Sequence, residues 1–206
     1  MQSTRIQVAP LAALVLFSLS CAVTPLAAPT APTAQVAIAP VAAKPAPGDP
    51  AVADVRAHLV PYQARTGLTD AEVAQLAETI VVEARRYHFD PSLVLAVIHV
   101  ESRFDTYAVS PKDALGLMQL LPSTGEALAP IVGVEWHGAQ TLFDPVANVR
   151  LGVAYLRQLT DRYNGSVRTA LVAYNWGPGR IDQFVRAGDP LPHEYSQLVL
   201  AAYDRS

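Results

Sequence analysis

One carboxylate, Glu101, stands among residues that would not solvate it. It ends the run Leu93-Val94-Leu95-Ala96-Val97-Ile98-His99-Val100, which is apolar nearly all round, as in a helix buried inside a domain. On such a helix Glu101 lies over Val97 and Ile98, its i−4 and i−3 neighbours. A carboxylate in apolar company is poorly solvated, so burial raises its pKa and favours the neutral acid. A neutral carboxylic acid near pH 7 can protonate the leaving-group oxygen of a bond that is to break. The competing reading is a solvated helix end, or an ion pair with Arg103 or Lys112. Asp105, four residues on, is the other carboxylate at hand. Two carboxyls one turn apart on one helix do not flank a bond from opposite sides, so Asp105 reads as a helix-end or loop residue.

Two further clusters set polar groups in apolar surroundings. In Asp113-Ala114-Leu115-Gly116-Leu117-Met118-Gln119-Leu120, Gln119 is an amide among aliphatic side chains, and Gly116 allows a close backbone approach. In Ala173-Tyr174-Asn175-Trp176-Gly177-Pro178-Gly179, a phenol and an amide sit where a helix breaks into a Gly-Pro-Gly turn. Such groups at helix ends can hydrogen-bond the hydroxyl and N-acetyl groups of a sugar. Trp136 reads as a lid over the core and Trp176 as the tryptophan nearer a cleft, with sugar stacking the alternative role for each. His99 points roughly 200° away from Glu101 on the helix and reads as a packed or partly exposed residue. The histidines (His58, His88, His99, His137, His193) lack zinc spacing, and one cysteine allows neither a thiolate cluster nor an intrachain disulfide, so no metal or cofactor is expected. Arg85-Arg86 reads as a solvated helix face.

The elements that must position these groups are helical. Thr69-Asp70-Ala71-Glu72 is a capping box. After it Val73, Leu76, Ala77, Ile80, Ala84 and Tyr87 share one helix face. Asp90-Pro91 and Asp144-Pro145 each pair an N-cap with a proline at the first helical position. Val149, Val153, Leu156 and Leu159 line the helix after the second of these, and Asn164-Gly165 stops it. Ser166 caps a helix running to about Tyr174, and Ile181 to Val185 forms a turn or two before Gly188. A last helix begins at Pro192, with Tyr195, Leu198, Val199 and Ala202 on one side. A short helix through Val52, Val55 and Leu59 should end at Pro61. Ile131 to Trp136 is the one candidate for extended structure, so residues 51–206 are expected to form a single all-α domain.

The first 50 residues differ in kind. Residues 1–24 read as an export signal, with Arg5 before the apolar core Leu11-Ala12-Ala13-Leu14-Val15-Leu16-Phe17-Ser18-Leu19. That core is too short to span a bilayer in the usual way. Cleavage near Ala22 is one reading. The other makes Cys21, the chain's single cysteine, the acceptor of a lipid that attaches the protein to a membrane, although Ser18 stands where Leu is usual. Residues 25–50, dominated by Ala and Pro, read as a disordered, semi-extended linker able to reach about 80 Å at roughly 3 Å per residue. Both readings place the domain outside the cytoplasm, in the periplasm or at the outer membrane of a bacterium. The charge balance, 15 basic against 18 acidic residues, argues against nucleic acid as a partner.

The motifs and their order resemble the soluble lytic transglycosylase (SLT) domain family, related to goose-type lysozyme. The resemblance runs from about Asp90 to Val185. It rests on Glu101-Ser102-Arg103-Phe104, Ala108-Val109-Ser110-Pro111, Gly116-Leu117-Met118-Gln119-Leu120, Leu142-Phe143-Asp144-Pro145, Asn148-Val149-Arg150-Leu151-Gly152 and Ala173-Tyr174-Asn175. It implies a lysozyme-like helical fold and peptidoglycan glycan strands as substrate. The β-1,4 bond between N-acetylmuramic acid and N-acetylglucosamine would be cleaved without water, leaving 1,6-anhydro ends. It also implies that Glu101 is the catalytic acid and base, that Ser102 supports it, and that Met118, Gln119, Tyr174 and Asn175 line the glycan cleft. Near the C-terminal end the pattern departs: Leu191 stands where the family carries a Glu, four residues before Tyr195, so the role of Tyr195 in substrate binding stays open. A hydrolytic muramidase on the same fold and a non-catalytic glycan-binding scaffold are the alternatives. A monomer is expected.

Overall fold

The structure is a computed structural model that describes residues 44–205. The signal, Cys21 and most of the Ala/Pro linker lie outside the described residues. Helix α1 (Pro50–Leu59) starts at Asp49, whose carboxylate accepts from the Ala51 N–H at 3.0 Å. The α-helix stops at Leu59, just before Pro61 as expected, but the chain stays helical in a tighter form. Pro61 takes the second position of a 3-10 turn, Val60–Tyr62, where its missing N–H has no intrahelical acceptor to lose, and α2 (Gln63–Thr66) follows. The box at Thr69 forms reciprocally and opens α3 (Asp70–Arg86). Asp90 accepts from the Ser92 N–H at 2.8 Å and opens α4 (Pro91–Ser102).

Next comes α5 (Pro122–Val132), which corrects the expectation of extended structure: Ile131 and Val132 close this helix, and Gly133 ends it in the left-handed conformation. Residues 134–137 are irregular rather than paired. Isolated antiparallel bridges join Leu115 to Val109 and to Leu120 instead. A 3-10 turn, Ala139–Phe143, leads to α6 (Pro145–Arg162), whose Asp144 cap accepts from the Ala147 N–H at 2.7 Å. Helix α7 (Val167–Trp176) is capped by Ser166, and α8 (Pro178–Ala187) follows after Gly177 alone. The expected Trp-Gly-Pro-Gly turn is thus a one-residue hinge, with Pro178 already at the first helical position. The last helix, α9, spans Glu194–Tyr203. Leu198, expected on its buried side, is 59% exposed, and Ser196 takes the buried place.

Helix α4 lies at the centre, with Leu93 to Ile98 all buried. It packs against α9, α3 and α1, while α6 packs against α3, α5 and α7. Each fully buried Leu, Ile or Val side chain contributes about 1.5–3 kcal/mol, which makes this interior the main source of stability. Arg85 and Arg86 divide: Arg85 lies on the solvated face expected of both, and Arg86 does not. Arg85 forms an ion pair with Asp49, while Arg86 is buried beside Glu83 at 3.5 Å. Glu83, also buried, has Arg150 of α6 at 3.7 Å on its other side. Burial pushes the Glu83 carboxyl up, and the two arginines pull it back. Arg150 also donates to the Val132 carbonyl at 2.6 Å, so one guanidinium fastens α6 to both α3 and the end of α5.

Among the described residues no helix is long and apolar enough to cross a membrane.

Candidate active site

Glu101 occupies the last turn of α4. Directly after it the chain turns through two consecutive left-handed, non-glycine residues, Arg103 at φ 52° and Phe104 at φ 66°. Each costs about 1 kcal/mol of backbone strain. The burial of Phe104 offsets that cost: its ring is fully buried and stacks on Tyr62 at 4.3 Å. The turn therefore fixes where α4 stops and where its last side chains project. Ser102, expected to support Glu101, donates its hydroxyl to the Ile98 carbonyl at 3.2 Å, so its bond goes to the backbone of α4 and not to the carboxyl.

The Glu101 carboxyl faces the start of α9, where the Tyr195 hydroxyl donates to Oε1. Burial pushes the Glu101 pKa from 4.5 to about 7; the Tyr195 bond favours the ionised form and lowers it, but burial is the larger effect. Tyr195 is 8% exposed, and its phenol is pushed well up by burial and by the charge of Glu101. The Tyr174 phenol is raised by burial first and then by Glu101 and Tyr155. The acid and two phenols thus form one electrostatic unit, drawn from α4, α7 and α9. Tyr195 keeps its place at the acid despite Leu191, because α9 packs along α4.

Opposite α7 runs the loop Leu115–Leu120, pinned at its ends by mutual Leu115–Leu120 backbone hydrogen bonds of 2.9 and 3.1 Å. The Tyr174 hydroxyl donates to the Met118 carbonyl at 2.8 Å, joining this loop to α7. Met118, expected in the cleft wall, is fully buried. Its side chain lies on Gly152, where a Cβ would overlap the Met118 sulfur, so only the backbone of Met118 reaches Tyr174. Gln119, at φ 48°, donates both amide hydrogens inward, to the carbonyls of Ala108 at 3.0 Å and Gly116 at 2.9 Å. Its Oε1 remains as an acceptor.

The centre of the loop is a residue not singled out from sequence as functional. Asn148, fully buried in the first turn of α6, accepts from the Met118 N–H at 2.8 Å. It donates to the carbonyls of Leu115 at 3.0 Å and Leu142 at 2.9 Å. Gly116 (φ 75°) lies against this amide, and a Cβ there would overlap Asn148 Nδ2 and the Leu142 carbonyl. The available signal was its place at the head of the motif Asn148-Val149-Arg150-Leu151-Gly152, in the first turn after Asp144-Pro145.

Asn175 is exposed at the end of α7, next to Tyr174. Trp176 turns roughly 200° from Tyr174 around the helix and carries the Arg180 guanidinium 4.5 Å from its ring centroid, which favours a cation–π contact over a place in the cleft. Trp136 packs on Gly125, where a Cβ would stand 2.8 Å from the indole, in keeping with a lid over the core. Asp105 is exposed and accepts from the Tyr107 N–H at 2.9 Å, a loop role. His99 is half-buried among Tyr62 and Phe104. Among the described residues no group of His, Cys, Asp and Glu side chains is placed to hold a metal ion.

Comparison with known proteins agrees with this arrangement. Residues 78–191 match the family described as "Transglycosylase SLT domain". A transglycosylase of Enterobacteria phage PRD1 is 38% identical over 117 residues, which is 50% of this chain and 40% of the phage protein. The membrane-bound lytic murein transglycosylase C of Yersinia pestis is 38% identical over 107 residues, 48% of this chain and 30% of that protein. The chain thus spans well under half the length of these curated relatives. Among solved structures, an inactive mutant of the lytic transglycosylase Slt from Pseudomonas aeruginosa is 27% identical, with a TM-score of 0.58 over 74% of this chain and 29% of that one. The 70 kDa soluble lytic transglycosylase of Escherichia coli, 21% identical, shares the fold with a TM-score of 0.52 over 74% of this chain and 29% of its own. The matched segment holds Glu101, the Leu115–Leu120 loop, Asn148 and Tyr174, so the interlocked helices that assemble the acid site are those of the SLT domain, and the chain belongs to that family.

Proposed function

We propose that the protein is a peptidoglycan lytic transglycosylase with Glu101 as its single acid and base. The observation that carries this reading is a half-buried carboxyl at the end of α4 that accepts from the Tyr195 hydroxyl and whose pKa burial raises to about 7, in a member of this family. The neutral acid first gives its proton to the glycosidic oxygen as the bond from C1 of N-acetylmuramic acid breaks. The carboxylate then takes the proton of the C6 hydroxyl as that oxygen bonds to C1. One C–O bond breaks, another forms, no water is consumed, and Glu101 ends protonated. No second carboxylate is needed, in contrast to ordinary glycosidases. Asp105, exposed in its own turn, is not in use as one.

In this reading Tyr195 holds the carboxyl, Tyr174 offers its hydroxyl oxygen to the substrate as an acceptor, and Asn175 and the free Oε1 of Gln119 bind the N-acetyl and hydroxyl groups of the sugars. Met118 and Ser102 contribute through the backbone. The catalytic domain is residues 51–206, carried by a linker at 25–50 behind an export signal at 1–24. The protein works as a monomer in the periplasm or, through a lipid on Cys21, at the outer membrane. The name of the membrane-bound relative supports the attachment. Fatty-acid labelling tests it: label on wild type should vanish in Cys21→Ser, and equal labelling of both ends the lipid reading.

The test of function is digestion of purified sacculi, with the products weighed. Wild type should release 1,6-anhydro muropeptides. Glu101→Gln should lower the rate at least about 100-fold, the usual scale of general acid–base catalysis, while still sedimenting with sacculi. Products heavier by one water would make the protein a muramidase. Full lysis by Glu101→Gln would remove Glu101 from the mechanism.

A further inference from the structure

Behind α4, on the side turned away from Glu101, the structure holds a cavity of about 180 Å³. Its floor is aliphatic: Leu95 and Ala96 of α4 and Ala202 of α9, all buried. Its rim is polar and basic: His58 of α1, Tyr62 of the following turn, His99 of α4 and Arg205 just past α9. The rings stand close, with centroids 6.0 Å apart for His58 and Tyr62 and 6.2 Å apart for Tyr62 and His99. Burial, and after it the charge of His99, lowers the pKa of His58.

The lining selects the ligand. It contains no carboxylate, and a guanidinium stands at the wall, so a metal or organic cation is disfavoured. A guanidinium, a phenol hydroxyl and an imidazole N–H from each histidine can all donate, which suits an anion with planar oxygens. The aliphatic floor suits a short hydrocarbon body and would leave phosphate's remaining oxygens without partners. The volume corresponds to on the order of six waters, or one ligand with about as many heavy atoms.

We infer that this cavity is a second binding site, one for a small aliphatic carboxylate held by Arg205 and the two imidazoles. The site lies on the helix pair that carries the acid. Glu101 of α4 meets Tyr195 at the start of α9, while Leu95, six residues or about 9 Å back along α4, lines the cavity together with Ala202 near the end of α9. The pair is therefore antiparallel, with the acid at one end and the cavity at the other. Neither site uses a side chain of the other, so the cavity stands whether or not the chain cleaves peptidoglycan.

Titration of the full-length protein with propionate, propionamide and inorganic phosphate, followed by NMR of the histidine rings, tests the site. Propionate should shift the His58 and His99 resonances saturably, move proton uptake by His58 to higher pH, and bind at least about tenfold more tightly than propionamide or phosphate. Arg205→Gln and His58→Gln should each weaken propionate at least about tenfold, with an unchanged circular dichroism spectrum and unchanged binding to sacculi. The absence of a saturable shift, equal binding of the amide or of phosphate, or undiminished binding in Arg205→Gln would each overturn the assignment.

Discussion

At the scale of single residues the decisive quantity is the proton on Glu101. Its pKa of about 7 makes a large fraction of the side chain neutral at neutral pH, where an ordinary glutamate would be ionised. Two opposed effects set that value: burial raises it, and the hydroxyl of Tyr195 lowers it by donating to the charged form. The sign of a Tyr195→Phe substitution follows. Losing the donor destabilises the carboxylate more than the acid, so the pKa of Glu101 rises further. Because the first step needs the neutral acid, wild-type lysis should fall as pH rises through about 7, and the Phe variant should carry that limb to higher pH. Rates of sacculus lysis from pH 5 to 9 measure both. An unshifted limb would mean that Tyr195 acts on the substrate alone. The variant should also be slower at its own optimum, because the carboxyl loses its orienting partner.

At the scale of elements the site depends on how a non-helical loop is held against three helices, and Asn148 does most of the holding. Asn148→Ala strips partners from one buried N–H and two buried carbonyls, so the loss should be roughly 3–5 kcal/mol. Asn148→Asp sharpens the test. An ionised Asp can still accept from Met118 N–H but aims negative charge at two carbonyls; the neutral acid can donate to one of them. The pKa of that Asp should be raised, so as pH falls from 7 to 4 the variant should gain more stability than wild type, which itself gains as Glu101 takes up its proton. Urea melts at the two pH values decide it. This hub also marks the limit of what the sequence discloses. Thr69, Asp90 and Asp144 were legible as caps because capping is local, and the faces of α3 and α6 because periodicity is local. The burial of Glu101 was legible for the same reason, since seven of its eight preceding neighbours are apolar. The role of Asn148 was not, because two of the three groups it satisfies lie 30 and 33 residues away. Tyr195 meets Glu101 across 94 residues, and that contact depends on how α9 packs. Helix α5 shows weakly in sequence because it carries Gly125, which lets Trp136 approach, and Pro130, which sits in its last turn.

At the scale of the molecule, the family match at 78–191 leaves out helices that the site needs. Helix α9 brings Tyr195 from beyond one end. From before the other end, α1 and α2 close over the turn that follows Glu101. Val55 and Leu59 are buried, Tyr62 covers Phe104, and the Thr106 hydroxyl donates to the Thr66 carbonyl at 2.9 Å. Asp49 ties the start of α1 to Arg85. At about 1.5–3 kcal/mol for each large apolar side chain, losing Val55, Leu59 and Tyr62 removes roughly 5–9 kcal/mol. That compares with about 5–15 kcal/mol for the whole stability of a typical domain. The same loss uncovers Phe104, whose burial is what sustains two left-handed residues next to the acid. A chain beginning at residue 67 should therefore melt at least about 10 °C lower than the full protein. It should also lose sacculus lysis at temperatures where it is still folded, because the turn after Glu101 can relax before the core does. The milder Tyr62→Ala separates the two effects: it should cost about 2–3 kcal/mol and lower the rate of lysis with little change in binding to sacculi. A truncated chain that melts with the full protein and lyses sacculi at its rate would show α1 and α2 to be passengers on the rest of the domain.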